Sequence, residues 1–97
     1  MILVHVQHYL STEGRNQFDD WLQEVARALQ HFDGFISITR MEPIEAVDEC
    51  HLLLKFESLN LLRQWSNSSE HDQMISRLAP YRQKPQRSRI FRLGDSI

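Results

Sequence analysis

Two side chains suited to proton transfer and aromatic recognition stand six residues apart in the stretch QWSNSSEHDQM, residues 64–74: Trp65 and His71. A histidine titrates near neutrality, so it can take up or release a proton under ordinary conditions. A tryptophan offers a flat apolar wall and one N–H donor. The same stretch also reads as a corner between two helices. Asn67, Ser68 and Ser69 would then form the turn and cap the helix that follows. On that reading Trp65, spaced helically from Leu61 and Leu62, is core, and His71 is an exposed or capping residue of a first turn. His8 and Asn60 carry the same double meaning. His8 closes the otherwise apolar row of the first strand, where a buried histidine is the plain alternative, and Asn60 lies near a helix start where it can simply be solvated.

The elements that must position these groups are legible from periodicity. Residues 2–9 alternate, with Ile2, Val4, Val6 and His8 on one face and Leu3, His5, Gln7 and Tyr9 on the other. Ser11 or Thr12 supplies an N-cap, and Phe18, Trp21, Leu22, Val25, Ala28 and Leu29 follow at helical spacing, which predicts a helix over 13–31. Asp33-Gly34 breaks it. Alternation resumes over Phe35 to Met41, with Ile36 and Ile38 facing inward, until Pro43 ends the strand. A third strand is expected over Val47 to Phe56, then a short helix from Ser58 bearing Leu59, Leu61, Leu62 and Trp65. Ser68 or Ser69 restarts a helix through Met74, Ile75, Leu78 and Tyr81, and a last strand runs from Arg87 to Leu93. The order β-α-β-β-α-β, its second helix in two pieces, predicts an α+β, ferredoxin-like sandwich: one antiparallel sheet with its helices on one face. The other face would carry Leu3, Tyr9, Phe35, Met41 and Leu53 among His5, Gln7, Ser37, Thr39, His51 and Lys55. That mixture suits a second sheet better than water, so a homodimer packed face to face is expected.

Composition narrows the class. Ninety-seven residues leave room for one domain, 1–97, and 41% hydrophobic with 25% charged residues is the balance of a soluble globule. The lone Cys50 has no partner for an internal disulfide and suits a reducing compartment. The opening MILVHVQHYL lacks the basic region and cleavage site of a signal peptide, and no apolar run approaches the ~20 residues of a membrane helix. A cytoplasmic protein without a membrane partner is expected. Residues 1–79 hold six basic and twelve acidic side chains, whereas 80–97 hold five basic ones and only Asp95. A basic final strand is consistent with an edge kept soluble by charge. Nucleic acid is not the expected partner, because no Lys/Arg-Gly-aromatic ribonucleoprotein signature is present. The scattered histidines and single cysteine show no metal-ligand spacing.

The strand ILVHVQHYL, the helix and turn GRNQFDDWLQEVARALQHFDGF, the stretch LLLKFESLNLLRQW and the closing WSNSSEH, in this order and spacing, resemble the antibiotic biosynthesis monooxygenase family of dimeric α/β-barrel proteins. The most specific part is Phe-Glu-Ser-Leu followed by Trp-x-x-Ser-x-Glu-His. The resemblance implies a homodimeric barrel, with a pocket in each protomer between the helices and the sheet. It also implies oxygenation of electron-rich phenols or quinols by molecular oxygen, with no metal or flavin cofactor. Such a site needs a base to make the substrate anionic, donors that hold the anion and a water-poor cavity. On this resemblance His71 would be the base and Trp65 a donor and wall, while His8, Asn60 and Asn67 would bind the substrate oxygen. A haem-degrading branch shares the fold, but this chain has Gln7 and Ile75 where that branch carries its pocket asparagine and iron-ligating histidine. The expected function is therefore a cofactor-independent monooxygenase for a small aromatic, quinol-like or polyketide-like molecule. The alternative is a non-catalytic dimeric module binding a hydrophobic metabolite in the same pocket.

Overall fold

The computed structural model describes residues 1–96. In chain order it has β1 (Ile2–Leu10), α1 (Thr12–Leu29), β2 (Phe35–Met41), β3 (Cys50–Phe56), α2 (Leu59–Ser66), α3 (Ser69–Leu78), a 3-10 turn (Ala79–Tyr81) and β4 (Arg82–Arg92). The strands form one antiparallel sheet in the order β2-β3-β1-β4. This is the expected α+β, ferredoxin-like arrangement. The alternation in β1 is realised residue by residue: Ile2, Val4, Val6, His8 and Leu10 are buried and the residues between them are half-buried. Opposite them on β3 stand Phe56, Leu54, Leu52 and Cys50. Onto this face pack Phe18, Trp21, Val25 and Leu29 of α1, Leu62 and Trp65 of α2, and Leu78 of α3. Among the described residues, no helix is long and apolar enough to cross a membrane.

Serines place the helix starts. Ser11 Oγ accepts from Gly14 N, Ser58 Oγ from Leu61 N and Ser68 Oγ from His71 N, so each satisfies a backbone donor that the first turn leaves free. α1 ends two residues earlier than its apolar spacing predicts. There Phe32 N bonds back to Leu29 O in a tighter turn, and Gly34 follows with φ of +82°. Only glycine suits this position on two counts: the backbone is left-handed, and a Cβ would lie 2.8 Å from Leu61 Cβ of α2. The turn after α1 and the second helical layer are thereby pressed together.

Three expectations give way, each for a local reason. Phe35 pairs with Phe56 but Ser37 pairs with Lys55, so Ile36 is an extra residue bulged out of the ladder. The bulge turns Phe35 inward, where its ring meets Phe56 edge to face at 5.9 Å, and leaves Ile36 exposed rather than inward. β3 begins at Cys50 and not at Val47. The chain from Pro43 to Glu49 winds through two turns, closed by Ala46 N to Pro43 O and Glu49 N to Ala46 O, and Val47 is exposed. β4, expected from Arg87, starts at Arg82 and runs through Pro85. Proline is tolerated there because β4 is an edge strand and its register slips beside it: Arg87 pairs with Gln7, but Lys84 pairs with Tyr9.

Candidate active site

A cavity of about 220 Å³ lies between the sheet and the helices. Its floor is the alternating face of the sheet, with Val4 and Val6 from β1, Ile38 from β2 and Leu52 and Leu54 from β3. Trp21 and Val25 of α1, Leu62 and Trp65 of α2, and Met74 and Ile75 of α3 close the roof. The inward side chains of β4, namely Gln86, Ser88 and Ile90, form the remaining wall. Ile90 is 55% exposed, so this wall is thin. Apolar ~150 Å³ cavities hold a benzene ring, so the present one suits a small aromatic molecule.

Trp65 and His71 are brought together by the two-piece helix. α2 stops at Ser66, and Ser68 donates to Trp65 O at 2.6 Å while its oxygen caps α3 through His71 N. One serine hydroxyl thus joins the backbones of both residues. The corner and the site are the same structure, and the imidazole meets the indole edge to face with ring centres 5.3 Å apart. Trp65 is 4% exposed and also packs against Phe32. Burial pushes the His71 pKa below its ordinary value, opposed by the charge of the adjacent Asp72. At neutral pH the ring is therefore neutral and keeps one lone-pair nitrogen. Asp72 Oδ1 lies 3.7 Å from Nδ1, beyond hydrogen-bond reach, and Nδ1 is buried with no partner.

The other expected site residues stand elsewhere. His8 is buried on the floor side but does not line the cavity; its ring lies against Trp21 and Phe18 at 5.3 and 5.8 Å. Asn60, in the first turn of α2, and Asn67, its C-cap, are exposed and off the cavity. Ile36 and Leu78, read from the sequence as an inward strand residue and a helix residue, also fall outside it. His5 and His51 occupy the opposite sheet face, where their rings stack and His5 Nε2 lies 2.8 Å from His51 Nδ1. Glu49 Oε1 lies 2.6 Å from His51 Nε2, which completes a polar chain on that face.

Sequence reasoning passed over Trp21, Met74, Gln86, Ser88 and Ile90. Trp21 was legible as an inward helical residue, but only the structure shows its indole N–H committed to Met74 O at 2.8 Å, tying α1 to α3 over the cavity. Gln86 lies just beyond Pro85, in the segment read as preceding the last strand. The register slip brings it onto the inward face. Among the described residues no cluster of three or more His, Cys, Asp or Glu side chains is placed to hold a metal ion.

Known structures share this arrangement. A Deinococcus radiodurans protein described by the name antibiotic biosynthesis monooxygenase superposes with a TM-score of 0.86 over 100% of this chain and 96% of its own, at 16% identity. Rv0793 of Mycobacterium tuberculosis gives 0.83 over 98% and 96%, at 15% identity. A mutant of SnoaB, a cofactor-independent oxygenase from Streptomyces nogalater, gives 0.80 over 99% and 94%, at 9% identity. Identities this low speak for the fold. No curated protein matches the chain in sequence. The family model for antibiotic biosynthesis monooxygenase matches residues 1–77, which hold the first three strands, the corner with Trp65 and His71 and most of α3. The chain belongs to the antibiotic biosynthesis monooxygenase family.

Proposed function

We propose that the protein is a cofactor-independent monooxygenase acting on a small aromatic, quinol-like or polyketide-like compound. The observation that carries this reading is the apolar cavity of about 220 Å³ with one ionisable side chain in its lining, a neutral His71 set against Trp65. A neutral imidazole accepts the phenolic proton, and the resulting anion is electron-rich enough to pass an electron to oxygen. Apolar walls keep water from competing for that anion. The overall change balances without a second reductant. A phenol with a free ring C–H and one O₂ give a quinone and water, the substrate supplying both electrons and both hydrogens. SnoaB, with the same fold, is a cofactor-independent oxygenase, which supports the reading by analogy. Oxygen uptake with a panel of quinols and anthrones tests it. Stoichiometric uptake with quinone formation is expected. Binding of the panel without uptake would instead identify a non-catalytic module.

The working unit in this proposal is a homodimer joined through the helix-free sheet face. That face carries Leu3, Tyr9, Met41, Leu53 and Phe91 around the stacked His5 and His51. The interface is expected to bury more than ~2,000 Å² in total. Light scattering at micromolar concentration should return twice the chain mass, and a monomer mass would refute the arrangement.

A further inference from the structure

The two edges of the sheet carry opposite charge. Lys84, Arg87 and Arg89 of β4 pair with Tyr9, Gln7 and His5, so they share the helix-free face, and all three are exposed. At the other edge the connection between β2 and β3, residues 42–49, carries Glu42, Glu45, Asp48 and Glu49. It reaches the same face through Glu49, which accepts from Gln7 and bonds to His51. Among the described residues, no ion pair within the chain neutralises Lys84, Arg87 or Arg89, and none neutralises Glu45 or Asp48. Exposed apolar side chains accompany both patches, Phe91 on β4 and Ile44 with Val47 on the connection. Within one chain the patches stay apart, because β3 and β1 lie between them. Yet they stand at one height along the strands: Met41, His51, Gln7 and Arg87 form a single paired row across the sheet.

We propose that a second copy of this chain covers the helix-free face with the two-fold axis running along the strands, so that the basic strand of each protomer meets the acidic connection of the other. This rests on the face-to-face dimer proposed above and adds the orientation of its two sheets. Like sheets stacked by a two-fold axis between them have two limiting arrangements. With the axis across the strands, β4 lies over the partner's β4, and two basic rows repel each other. With the axis along the strands, the order β2-β3-β1-β4 is reversed over the partner, and β4 lies over β2. Heights are then kept, so Arg87, level with Met41, comes beside the partner's connection, which begins one residue later. The β2 residues facing β4 in this arrangement are Ser37, Thr39 and Met41, none of them charged. An isologous interface makes the contact twice. Charge so placed chooses between orientations more than it adds affinity.

Charge exchange, read by sedimentation equilibrium over a dilution series, tests the orientation. One variant carries Arg87→Glu with Arg89→Glu, and the other carries Glu45→Arg with Asp48→Arg. Each should weaken its own dimer at least about tenfold, since each sets like charges together at two contacts. Mixed in equal amounts, the two should form a heterodimer near wild-type affinity, because both of its contacts are complementary again. That recovery also shows both variants to be folded. Either variant dimerising as tightly as wild type overturns the proposal, and so does a mixture that does not recover. If a reversal unfolds the chain, the milder Arg87→Gln with Arg89→Gln should still weaken the dimer, and unchanged affinity overturns the proposal. A tight heterodimer of the β4 variant with wild type would instead identify the arrangement with β4 over β4. A monomeric wild type removes the dimer and this orientation together, whereas a wild-type dimer indifferent to the exchanges leaves the dimer and overturns the orientation alone.

Discussion

His71→Ala is expected to lower turnover by ~10²–10⁴-fold, the usual loss when a general base is removed, with little change in stability. The two halves of this expectation have separate grounds. On the kinetic side His71 is the ionisable group among the cavity-lining residues, and burial keeps it unprotonated at neutral pH. On the structural side its ring is only half-buried, so truncation removes modest contact, and the cap of α3 runs through its backbone N–H, which alanine retains. The wild-type kcat/KM should decline only as pH falls below ~6.5, because burial moves the imidazole below that ordinary value. The alanine variant should lack this limb. Trp65→Phe forms the contrast. Trp65 is 4% exposed and packs against both Phe32 and His71, so the change should cost activity together with ~1–2 kcal/mol of stability. Oxygen uptake and melting temperature for the two variants separate these patterns. Undiminished uptake by His71→Ala would exclude it as the base.

A second large effect is expected from His8, and it concerns stability and not turnover. Burial, then the charge of Arg82, then His71 lower the His8 pKa from 6.5 to about 4. The unfolded chain therefore binds a proton at pH values where the native chain does not. Stability is insensitive to this group above pH 6.5, falls as pH drops from 6.5 to about 4, and levels off below. The full window corresponds to about 3 kcal/mol, and the interval from neutrality to about pH 5 to about 2 kcal/mol. His8→Leu, close in volume and packed by the same Phe18 and Trp21 rings, should remove this part of the acid sensitivity. Denaturant titrations near pH 7.5 and near pH 5 measure it. Equal losses in wild type and variant would show that the ring is solvated and titrates normally. His5 and His71 also have lowered pKa values and add losses of the same sign, so the difference between the two proteins is the decisive quantity.

How much of this was readable beforehand depended on how local the determining interaction was. The inward row Ile2, Val4, Val6, His8 follows from strand period alone, and the three serine caps need only residues three apart. The pairing of Trp65 with His71 was legible because one short corner carries both. Failures came where a remote strand set the register. Whether Phe35 or Ile36 faces inward depends on a bulge against Phe56, which alternation within β2 does not encode. The last strand was expected only from Arg87, beyond Pro85, and it is the edge position of β4 and its slip against β1 that permit the strand to pass through that proline. Asn60 and Asn67 were plausible ligands by type, but their places at the two ends of α2 turn them to solvent.

β4 has a neighbour on one side only, so exchanging its inward side chains disturbs a single partner strand. The imidazole, by contrast, sits on a helix whose start is tied by Ser68 to the one before it and whose body is tied by Trp21 to α1. The two sides of the cavity are thus held differently, one braced and one peripheral. For engineering this makes β4 an interchangeable panel: a library confined to Gln86, Ser88 and Ile90 would reshape one wall of the cavity while the corner that holds Trp65 and His71 stays as it is.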